Sequence, residues 1–223
     1  MSREDQLVVE PRLKQERAVK TRAAIILAAA EVFDEAGYHG ASMREIMKRA
    51  GITLGAVYFH FPNKEALAAA VMNAQPETIV PKLRSDGLQR LVDITLVWSH
   101  QLQVDKILRA GVRLAVEQSG FGMHSSESFD EWQRIMEACL RDAAERGELR
   151  AGVDAHQVAE FVVSACTGMQ LYSDLVARRT DLPRRTVAMW DLLLPGIASE
   201  GAAPNVRCSV RRAASLVPTE PAA

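Results

Sequence analysis

Cysteines, aromatic residues and long apolar runs are all scarce in this sequence of 223 residues. The three cysteines, Cys139, Cys166 and Cys208, are too few and too widely spaced for a disulfide framework, so we expect reduced thiols and a cytoplasmic location. No apolar run approaches the roughly 18–20 residues that span a bilayer, which argues against any role in a membrane. The first ten residues contain three acids and no apolar segment, so no secretory signal is expected.

An excess of charge of either sign is also missing. The chain has 27 basic and 28 acidic residues, for a formal net charge of −1. This balance excludes a uniformly basic nucleic-acid coat protein but leaves room for a local basic patch. Hydrophobic residues make up 48% of the chain and charged residues 25%, which are ordinary globular values and exclude collagen-like or wholly disordered chains. The length suits one large domain or two small ones.

The sequence does contain apolar spacing of the helical kind almost throughout. Apolar residues recur at steps of three and four, and valine, isoleucine and threonine do not alternate with polar residues in strand-length runs. We therefore predict an all-α fold. Residues 1–14 are expected to form a flexible arm, and the Ala- and Pro-rich residues 201–223 a disordered tail. The predicted helices cover residues 15–36, 43–50, 53–59, 64–74, 88–103, 105–117, 128–146, 155–178 and 183–194.

Two short predicted helices are joined by Gly51-Ile52-Thr53, which is the spacing of a helix-turn-helix. Ser42 and Glu45 form a capping box that opens the first of them. The second helix leaves several residues on or near its free side, where a recognition helix enters the major groove of DNA. An ordinary pair of packed helices has the same spacing, so this pattern alone leaves both interpretations open. The residues on the free side are Thr53, Leu54, Gly55, Tyr58 and His60.

Nine basic residues lie in or beside this hairpin. A basic run by itself is usually a solvated surface, but its convergence on a helix-turn-helix favours a footprint for DNA phosphates. The first five fall within eleven residues of sequence, with one acid among them. The nine are Arg12, Lys14, Arg17, Lys20, Arg22, Arg44, Lys48, Arg49 and Lys64.

Four sequence blocks in this region occur in order at the spacing of a known family. They are TRAAII at residues 21–26, FDEAGY at 33–38, GITLGAVYFHF at 51–61 and NKEAL at 63–67. Over residues 15–75 the chain resembles the TetR family of bacterial repressors. Within that family, the YFHF block followed by Lys-Glu-x-Leu is similar to the γ-butyrolactone autoregulator receptors of Streptomyces-type bacteria.

Three later blocks extend the resemblance to about residue 195. They are RAGVRLA at residues 109–115, FDEW at 129–132 and MW at 189–190. The chain departs from many relatives at Leu54, where they have a lysine. Leucine offers only apolar contact, for example to a thymine methyl group, so we expect a different operator sequence.

The resemblance implies a transcriptional repressor with an N-terminal three-helix helix-turn-helix domain over residues 15–62. A C-terminal helical domain for ligand binding and dimerisation would follow over residues 63–200. A homodimer would bind a palindromic DNA operator and be released by a small lipophilic effector of the γ-butyrolactone, butenolide or furan type, thereby controlling antibiotic and other secondary-metabolite genes. The expected DNA-binding residues are Arg17, Lys20, Arg22, Ser42, Arg44, Thr53, Leu54, Gly55, Tyr58, His60 and Lys64.

For the ligand pocket the resemblance implies Gln75, Trp132 and Thr167, and we add Tyr172, whose phenol lies five residues beyond Thr167. The Trp132 indole offers a wide apolar wall and one N–H donor, although a core tryptophan has the same features. The Gln75 amide is able to hydrogen-bond a lactone or a hydroxyl, and a solvated helix end is the alternative. The Thr167 hydroxyl is able to bond a ligand or its own backbone.

Two other functions compete with this interpretation. A multidrug-sensing repressor of an efflux gene would place acids among aromatic residues in its pocket, whereas aromatic residues are only 5% of this chain. An enzyme is the rival from a different class, but His156 and Glu160 are one pair four residues apart, and zinc usually needs three or four ligands. The sequence has no phosphate loop, Gly-x-Ser-x-Gly or Cys-x-x-Cys motif. We therefore expect no catalytic residue, no metal and no cofactor.

Overall fold

The computed structural model describes residues 3–217, and for residues 3–14 the description is limited to the backbone. Within these residues the only β-pairing is an isolated bridge between Leu149 and Ala198, and the all-α prediction is confirmed. Short 3-10 turns lie at Pro76–Thr78, Val80–Lys82, Gln118–Phe121 and Ala203–Asn205. The helices are α1 (Arg3–Gly40), α2 (Met43–Ala50), α3 (Leu54–His60), α4 (Lys64–Asn73), α5 (Gly87–Gln101), α6 (Lys106–Glu117), α7 (Glu127–Glu145), α8 (Ala155–Ala177), α9 (Leu182–Ile197) and α10 (Val210–Leu216).

Local hydrogen bonds set the starts of the three helices that follow α1. Ser42, Thr53 and Asn63 have extended backbones. Their side-chain oxygens accept hydrogen bonds from the backbone N–H three residues further on, at 3.2, 3.2 and 2.7 Å. Each cap satisfies one of the N–H groups that have no partner in the first turn of a helix. The predicted starts of α2, α3 and α4 are therefore confirmed to within one residue.

The first of two apolar cores, the N-terminal core, is built from α1 to α4 and one face of α6. Because α4 buries its apolar face here, the predicted domain boundary after residue 62 falls inside a packed unit rather than between two. The main fully buried side chains are Ile25, Phe33, Ile46, Val57, Leu67, Val71 and Ala110.

The C-terminal core is formed by α5, α7, α8, α9 and α10 with the opposite face of α6. Leu108 and Val112 of α6 lie in this core, so α6 packs into both cores. At its centre Trp190 is fully buried, and its indole Nε1 donates a hydrogen bond to the Thr95 hydroxyl at 2.7 Å. The single polar atom of the largest buried side chain is thus satisfied, as a buried indole requires.

The prediction of a disordered tail over residues 201–223 is wrong as far as residue 217. Helix α10 packs against α5 and α9 and buries Ala213 completely. Arg212 donates two hydrogen bonds of 2.6 Å to the fully buried carboxylate of Asp93. Composition alone missed this segment because the partner of Arg212 lies 119 residues away in the sequence. Residues 218–223 lie outside the described residues.

The predicted flexible arm also differs from the structure, which continues α1 as helix back to Arg3. Eight of residues 3–14 are arginine, glutamate, glutamine, leucine or lysine, which have high helix propensity, whereas Val8, Val9 and Pro11 do not. Residues 1 and 2 lie outside the described residues. Between residues 3 and 217 no helix is both long and apolar enough to cross a membrane.

Candidate DNA-binding surface and ligand pocket

The free side of α3 presents the residues that the sequence predicts for DNA contact. Gly55 and Tyr58 are exposed, whereas Leu54 and His60 are partly buried. Thr53 is exposed too, but its hydroxyl oxygen caps α3, which leaves its hydroxyl hydrogen and methyl group for an outside partner. The structure therefore brings these five residues together on one short helix and its cap.

Exposed basic residues flank α3. Arg17 and Lys20 on α1 and Arg44 and Lys48 on α2 have no ion-pair partner in the part of the chain that the structure describes. Because no carboxylate in that part of the chain neutralises these four cations, their positive charge is available to DNA phosphates. Ser42, the other predicted contact on this side, is exposed and caps α2.

Other basic residues of the predicted footprint are engaged within the protein. Arg49 donates hydrogen bonds to both carboxylate oxygens of Glu35 at 2.9 Å and to Glu31 at 3.4 Å. The guanidinium of Arg22 lies 5.1 Å from the ring centroid of Phe61. Arg49 therefore adds little net charge to the surface, whereas Arg22 is exposed and retains its charge.

Lys64, predicted as a phosphate contact, joins α4 to the end of α1. Its ammonium donates to the backbone carbonyls of Tyr38 and Ala41 at 2.8 and 3.1 Å and lies 4.2 Å from the ring centroid of Tyr38. An ammonium has three N–H donors, so one remains for a phosphate. The side chains of Arg12 and Lys14 lie outside the described part of the chain.

Phe59 is a surface residue that the sequence reasoning missed. It is 82% exposed, between Tyr58 and His60 on the free side of α3. A single exposed apolar side chain is common on protein surfaces, so it is the position of Phe59 beside Tyr58 and His60 that makes it a candidate contact. The signal in the sequence is the run of four aromatic or imidazole residues at the end of a seven-residue helix, which cannot all face the core.

The second candidate site is an apolar pocket between α5, α6, α7 and α8. Its cavity volume is about 50 Å³. Three of the four predicted ligand residues, Gln75, Trp132 and Thr167, line it together. None of the described residues that line it is charged, and most are aliphatic or aromatic. Such a lining suits a neutral apolar body with a few polar anchors.

Gln75 lines this pocket, and only 3% of its surface is exposed. Its Nε2 donates to the backbone carbonyl of Met72 at 2.9 Å. Its Oε1 has no donor among the described residues, so this oxygen is available to a ligand hydroxyl. Gly111 of α6 packs directly against it, because a Cβ added at Gly111 would lie 2.7 Å from both Cγ and Cδ of Gln75.

The remaining polar groups of the pocket differ in how far they are satisfied. Trp132 is buried, and its indole N–H has no acceptor among the residues described. Thr167 donates its hydroxyl hydrogen to the carbonyl of Val163 at 2.8 Å, so only its lone pairs face a ligand. Burial raises the pKa of the Cys166 thiol to about 12, which makes it a neutral part of the wall.

Tyr172 is not part of the pocket, and the prediction for this residue is wrong. It is 56% exposed, and the guanidinium of Arg185 lies 4.8 Å from its ring centroid. The reason is helical geometry: five residues after Thr167 a side chain points about 140° away around a helix with 3.6 residues per turn. Three residues after Thr167 the same face is reached again, and Gln170 stands there in the pocket wall.

Sequence reasoning missed several pocket residues that share such a helical face. Gln170 follows Thr167 by three positions, and Thr95 precedes the pocket residue Trp98 by three. Ser128 precedes Trp132 by four on α7. Once one pocket residue on a helix is known, the helical period of about 3.6 residues therefore predicts its neighbours in the pocket at three or four positions away.

Contacts between α1 and α6 connect the two candidate sites. Arg109 donates to both carboxylate oxygens of Asp34, and Arg113 donates to the Asp34 backbone carbonyl at 3.1 Å. The rings of Tyr38 and Phe121 stack with centroids 3.7 Å apart. These contacts join α6 of the pocket wall to the helix that carries the first part of the basic surface.

Two family models match the chain. Residues 25–71 match the model described as "Bacterial regulatory proteins, tetR family". Residues 85–199 match the model described as "Tetracyclin repressor-like, C-terminal domain". The first match covers most of the N-terminal core, and the second covers the pocket-lining helices.

Individual relatives resemble the chain over most of its length. The A-factor receptor protein of Streptomyces griseus is 37% identical over 194 residues, which are 87% of this chain and 70% of that protein. The crystal structure of TylP, a TetR regulator from Streptomyces fradiae, has a TM-score of 0.81 at 35% identity and covers 91% of both chains. A γ-butyrolactone receptor, described as an ArpA-like protein, has a TM-score of 0.61 at 32% identity and covers 89% of this chain and 97% of its own.

Proposed function

Because this chain belongs to the TetR family of bacterial regulatory proteins, we propose that it is a ligand-responsive repressor of genes for antibiotic or other secondary-metabolite production. A dimer of the chain binds a palindromic operator, and a small lipophilic signalling molecule releases it. The similarity to the A-factor receptor and to a γ-butyrolactone receptor supports an effector of the γ-butyrolactone, butenolide or furan type.

The observation that carries this proposal is the shared pocket of Gln75, Trp132 and Thr167. These residues are 57 and 35 positions apart in the sequence, yet they line one apolar space with unpaired hydrogen-bonding atoms. Gln75 offers an acceptor, and Trp132 offers a donor. A lactone with a hydroxyl group on an alkyl body presents the complementary groups, an acceptor carbonyl and a donor hydroxyl.

Dimerisation through α8 and α9 is supported by their outer surface. Exposed large apolar side chains are concentrated on these two helices, and a patch of this kind on a soluble chain marks an interaction surface. A second copy of the same chain covers the patch in this proposal, since closed two-fold dimers are the commonest assembly. The patch consists of Phe161, Leu171, Tyr172, Leu175, Val176 and Leu192.

DNA recognition follows from the dimer. One α3 helix reads too few bases to be selective, whereas two-fold pairing presents two such helices to half-sites about 34–36 Å apart or a multiple of that distance. Exposed Arg17, Lys20, Arg22 and Arg44 hold phosphates, and Lys64 contributes its remaining N–H. Leu54, Gly55 and Tyr58 face the groove from α3, beside Thr53 and His60.

Induction requires that the effector favour a conformation whose recognition helices no longer match the half-sites. Gln75 follows α4 by two residues, and α4 begins at Lys64, which is bonded to α1. Because Gly111 of α6 packs directly against Gln75, a ligand that bonds Gln75 and shifts its side chain displaces α4 or α6. Either displacement reaches α1 through the contacts of Lys64 or Arg109.

A multidrug sensor of cationic drugs fits the pocket less well. A pocket for cationic drugs is expected to place acids among its aromatic residues. The described residues that line this pocket include no acid, and their aromatic members are Trp98, Phe129 and Trp132.

The decisive experiment truncates Trp132. We expect Trp132→Ala to weaken binding of a 2-alkyl-γ-butyrolactone by about 30-fold or more, since loss of a buried aromatic anchor costs about 2 kcal/mol of binding free energy. The variant is expected to keep its affinity for operator DNA, because Trp132 has no contact with the DNA-binding surface. The measurements are fluorescence titration with the lactone and a gel shift on the purified protein.

A core truncation serves as the matched control. Leu140 lies on the same helix α7, is fully buried, and does not line the pocket. Leu140→Ala should lower stability by about 2–5 kcal/mol and leave the lactone affinity of the folded protein unchanged. If Trp132→Ala lost operator binding together with ligand binding, as a general core defect does, Trp132 would be a core residue and the pocket assignment would fail.

A further inference from the structure

A polar crevice lies beside the apolar pocket and shares three of its lining residues, Val112, Val116 and Gln170. Its walls come from α1, from α6 and from the C-terminal end of α8. Its cavity volume is about 460 Å³. The crevice therefore continues the effector pocket toward the DNA-binding region.

Charged side chains of both signs line the crevice, with guanidinium groups in excess. Arg113 pairs with Glu117 at 3.1 Å, and Arg179 pairs with Asp174 at 3.0 Å. Arg178 has no ion-pair partner within residues 15–217. Four cations facing three acids leave the crevice with one uncompensated positive charge. The cations are Arg109, Arg113, Arg178 and Arg179, and the acids are Asp34, Glu117 and Asp174.

Arg179 is the most buried of these cations. Its side chain is only 15% exposed, yet its Nε is buried and has no hydrogen-bond partner among the described residues. Burial lowers the pKa of its guanidinium by more than the nearby carboxylates of Asp174 and Asp34 raise it. A buried N–H without an acceptor destabilises the site until a ligand supplies one.

The backbone at this end of α8 is strained as well. Arg178 and Arg179 have φ angles of 48° and 63°, in the left-handed region that residues with a Cβ rarely adopt. The N–H of Arg179 bonds to the carbonyl of Ser173, which turns the chain back at the end of the helix. A left-handed residue is a common ending of a helix, and here it fixes the place of Arg179 in the crevice.

Gln170 supplies the second unsatisfied group, at the junction of pocket and crevice. It is 1% exposed, and its Oε1 is buried with no donor among the described residues. An amide oxygen accepts hydrogen bonds, so a ligand hydroxyl or N–H satisfies it. A buried acceptor and a buried donor, Gln170 and Arg179, thus line the same crevice without partners.

We propose that the crevice binds the carboxylate of an amphiphilic effector whose apolar body occupies the pocket, and that a hydroxyl between these two parts donates to Gln170. The proposal rests on the proposed function, because it extends the same effector site. A carboxylate accepts from the Nε of Arg179 in a charge-assisted hydrogen bond. Its single negative charge matches the single excess positive charge of the crevice, which a doubly charged phosphate would exceed.

The position of the crevice gives such a carboxylate a role in release. Arg109 and Arg113 bind Asp34 of α1 on one wall of the crevice. A bound carboxylate competes with Asp34 for these guanidinium groups and so weakens the contact between α6 and α1. The acidic effector is therefore expected to release operator DNA at lower concentration than its neutral ester.

The test uses three probes, 3-hydroxydecanoate, its methyl ester and decanoate, with tryptophan fluorescence and operator release as readouts. The ester lacks the charge, and decanoate lacks the hydroxyl. We expect 3-hydroxydecanoate to bind about tenfold more tightly than each of the other two probes. The ester loses the charge-assisted hydrogen bond to Arg179, decanoate loses the buried hydrogen bond to Gln170, and either loss accounts for a factor of about ten. Arg179→Gln should remove the preference for acid over ester, and Gln170→Leu should remove the preference for 3-hydroxydecanoate over decanoate.

Arg211→Gln is the matched control, since Arg211 is exposed on α10, away from the crevice. It should keep both preferences, and melting temperatures check that every variant is folded. Equal binding of acid and ester by the unchanged protein, or a preference that survives in Arg179→Gln, overturns the carboxylate site. If the ester still binds and Trp132→Ala abolishes this binding, the pocket itself stands. If none of the probes binds, the carboxylate proposal fails, and the lactone titration of Trp132→Ala decides the proposed function separately.

Discussion

The DNA-binding surface and the effector pocket are both made of helices, but their residues are held in place in different ways. The predicted surface residues lie between Arg17 and Lys64, and the helices that carry most of them start at caps that reach three residues along the chain. The pocket residues extend from Gln75 to Gln170 and are mostly buried. Their positions depend on contacts such as that of Trp190 with Thr95, which are 95 residues apart.

This difference indicates how each region responds to substitution. An exposed, locally capped surface loses little when one ion pair is removed, because water replaces the missing partner. A buried region loses much more, because the group left behind has no access to water. The following predictions test this contrast, from the largest expected effect to the smallest.

The largest effect is expected at the buried ion pair of the C-terminal core. Arg212→Ala leaves the fully buried Asp93 with only Ser85 and Gln89 as donors, at 2.7 and 2.8 Å. We expect a loss of about 3 kcal/mol in the free energy of unfolding, as for other buried pairs that lose one partner. Urea unfolding of both proteins measures it.

The matched control for this prediction is Arg146→Ala, which removes an exposed arginine paired with Asp142. No measurable change in stability is expected there. If the two variants proved equally stable, the buried ion pair would contribute no more to stability than the exposed one, and the proposed contrast would be wrong.

A smaller effect is expected where the two regions meet. Gly37 has φ 69° and ψ 178°, a conformation that is almost restricted to glycine, and an added Cβ would lie 2.7 Å from Nη2 of Arg113. Gly37→Ala should therefore lower the free energy of unfolding by about 2–3 kcal/mol. Displacement of Arg113 should also alter release of operator DNA by the effector, measured by gel shift.

Gly51 gives the cost of an ordinary left-handed backbone, because it has a φ of 67° and a ψ of 30° and nothing within 4 Å of an added Cβ. Gly51→Ala should cost about 1 kcal/mol, the cost of the backbone alone. Equal losses in the two variants would show that neither the ψ of Gly37 nor its contact with Arg113 adds to the cost of a positive φ.

The smallest effect is expected for the exposed ion pairs of the N-terminal core. Hydrogen bonds from Arg49 hold the pKa of Glu35 below its ordinary value, and Lys106 followed by Arg49 does the same for Glu31. Since the folded-state pKa values are lowered, the stabilisation is present above the unfolded value of about 4.5 and is lost as the pH falls through the folded values. Arg49→Gln should lower the melting temperature slightly at pH 7 and not at strongly acidic pH.

The control for the pH dependence is Arg44→Gln, since Arg44 is exposed and has no ion-pair partner in the described part of the chain. Its small effect on melting temperature should not follow the titration of Glu31 and Glu35. A difference for Arg49→Gln that stayed constant from pH 7 into strong acid would contradict the assigned ion pairs.

The sequence by itself determined the all-α fold, the starts of α2, α3 and α4, and the residues on the free side of α3. These features depend on helical periodicity and on side-chain caps that act over three residues, so the information is local. The resemblance added Gln75, Trp132 and Thr167, which the structure brings together in the pocket, whereas Tyr172, added to them, lies outside it.

The tertiary structure alone decided which polar groups stay unsatisfied and which charges are compensated. Lys64 bonds to the end of α1, Arg212 to Asp93, and Gly111 packs against Gln75. Each of these contacts joins residues that are distant in sequence. The physical reason is that burial and pairing depend on what surrounds a side chain in three dimensions, and a period of 3.6 residues carries no information about the neighbour across a helix interface.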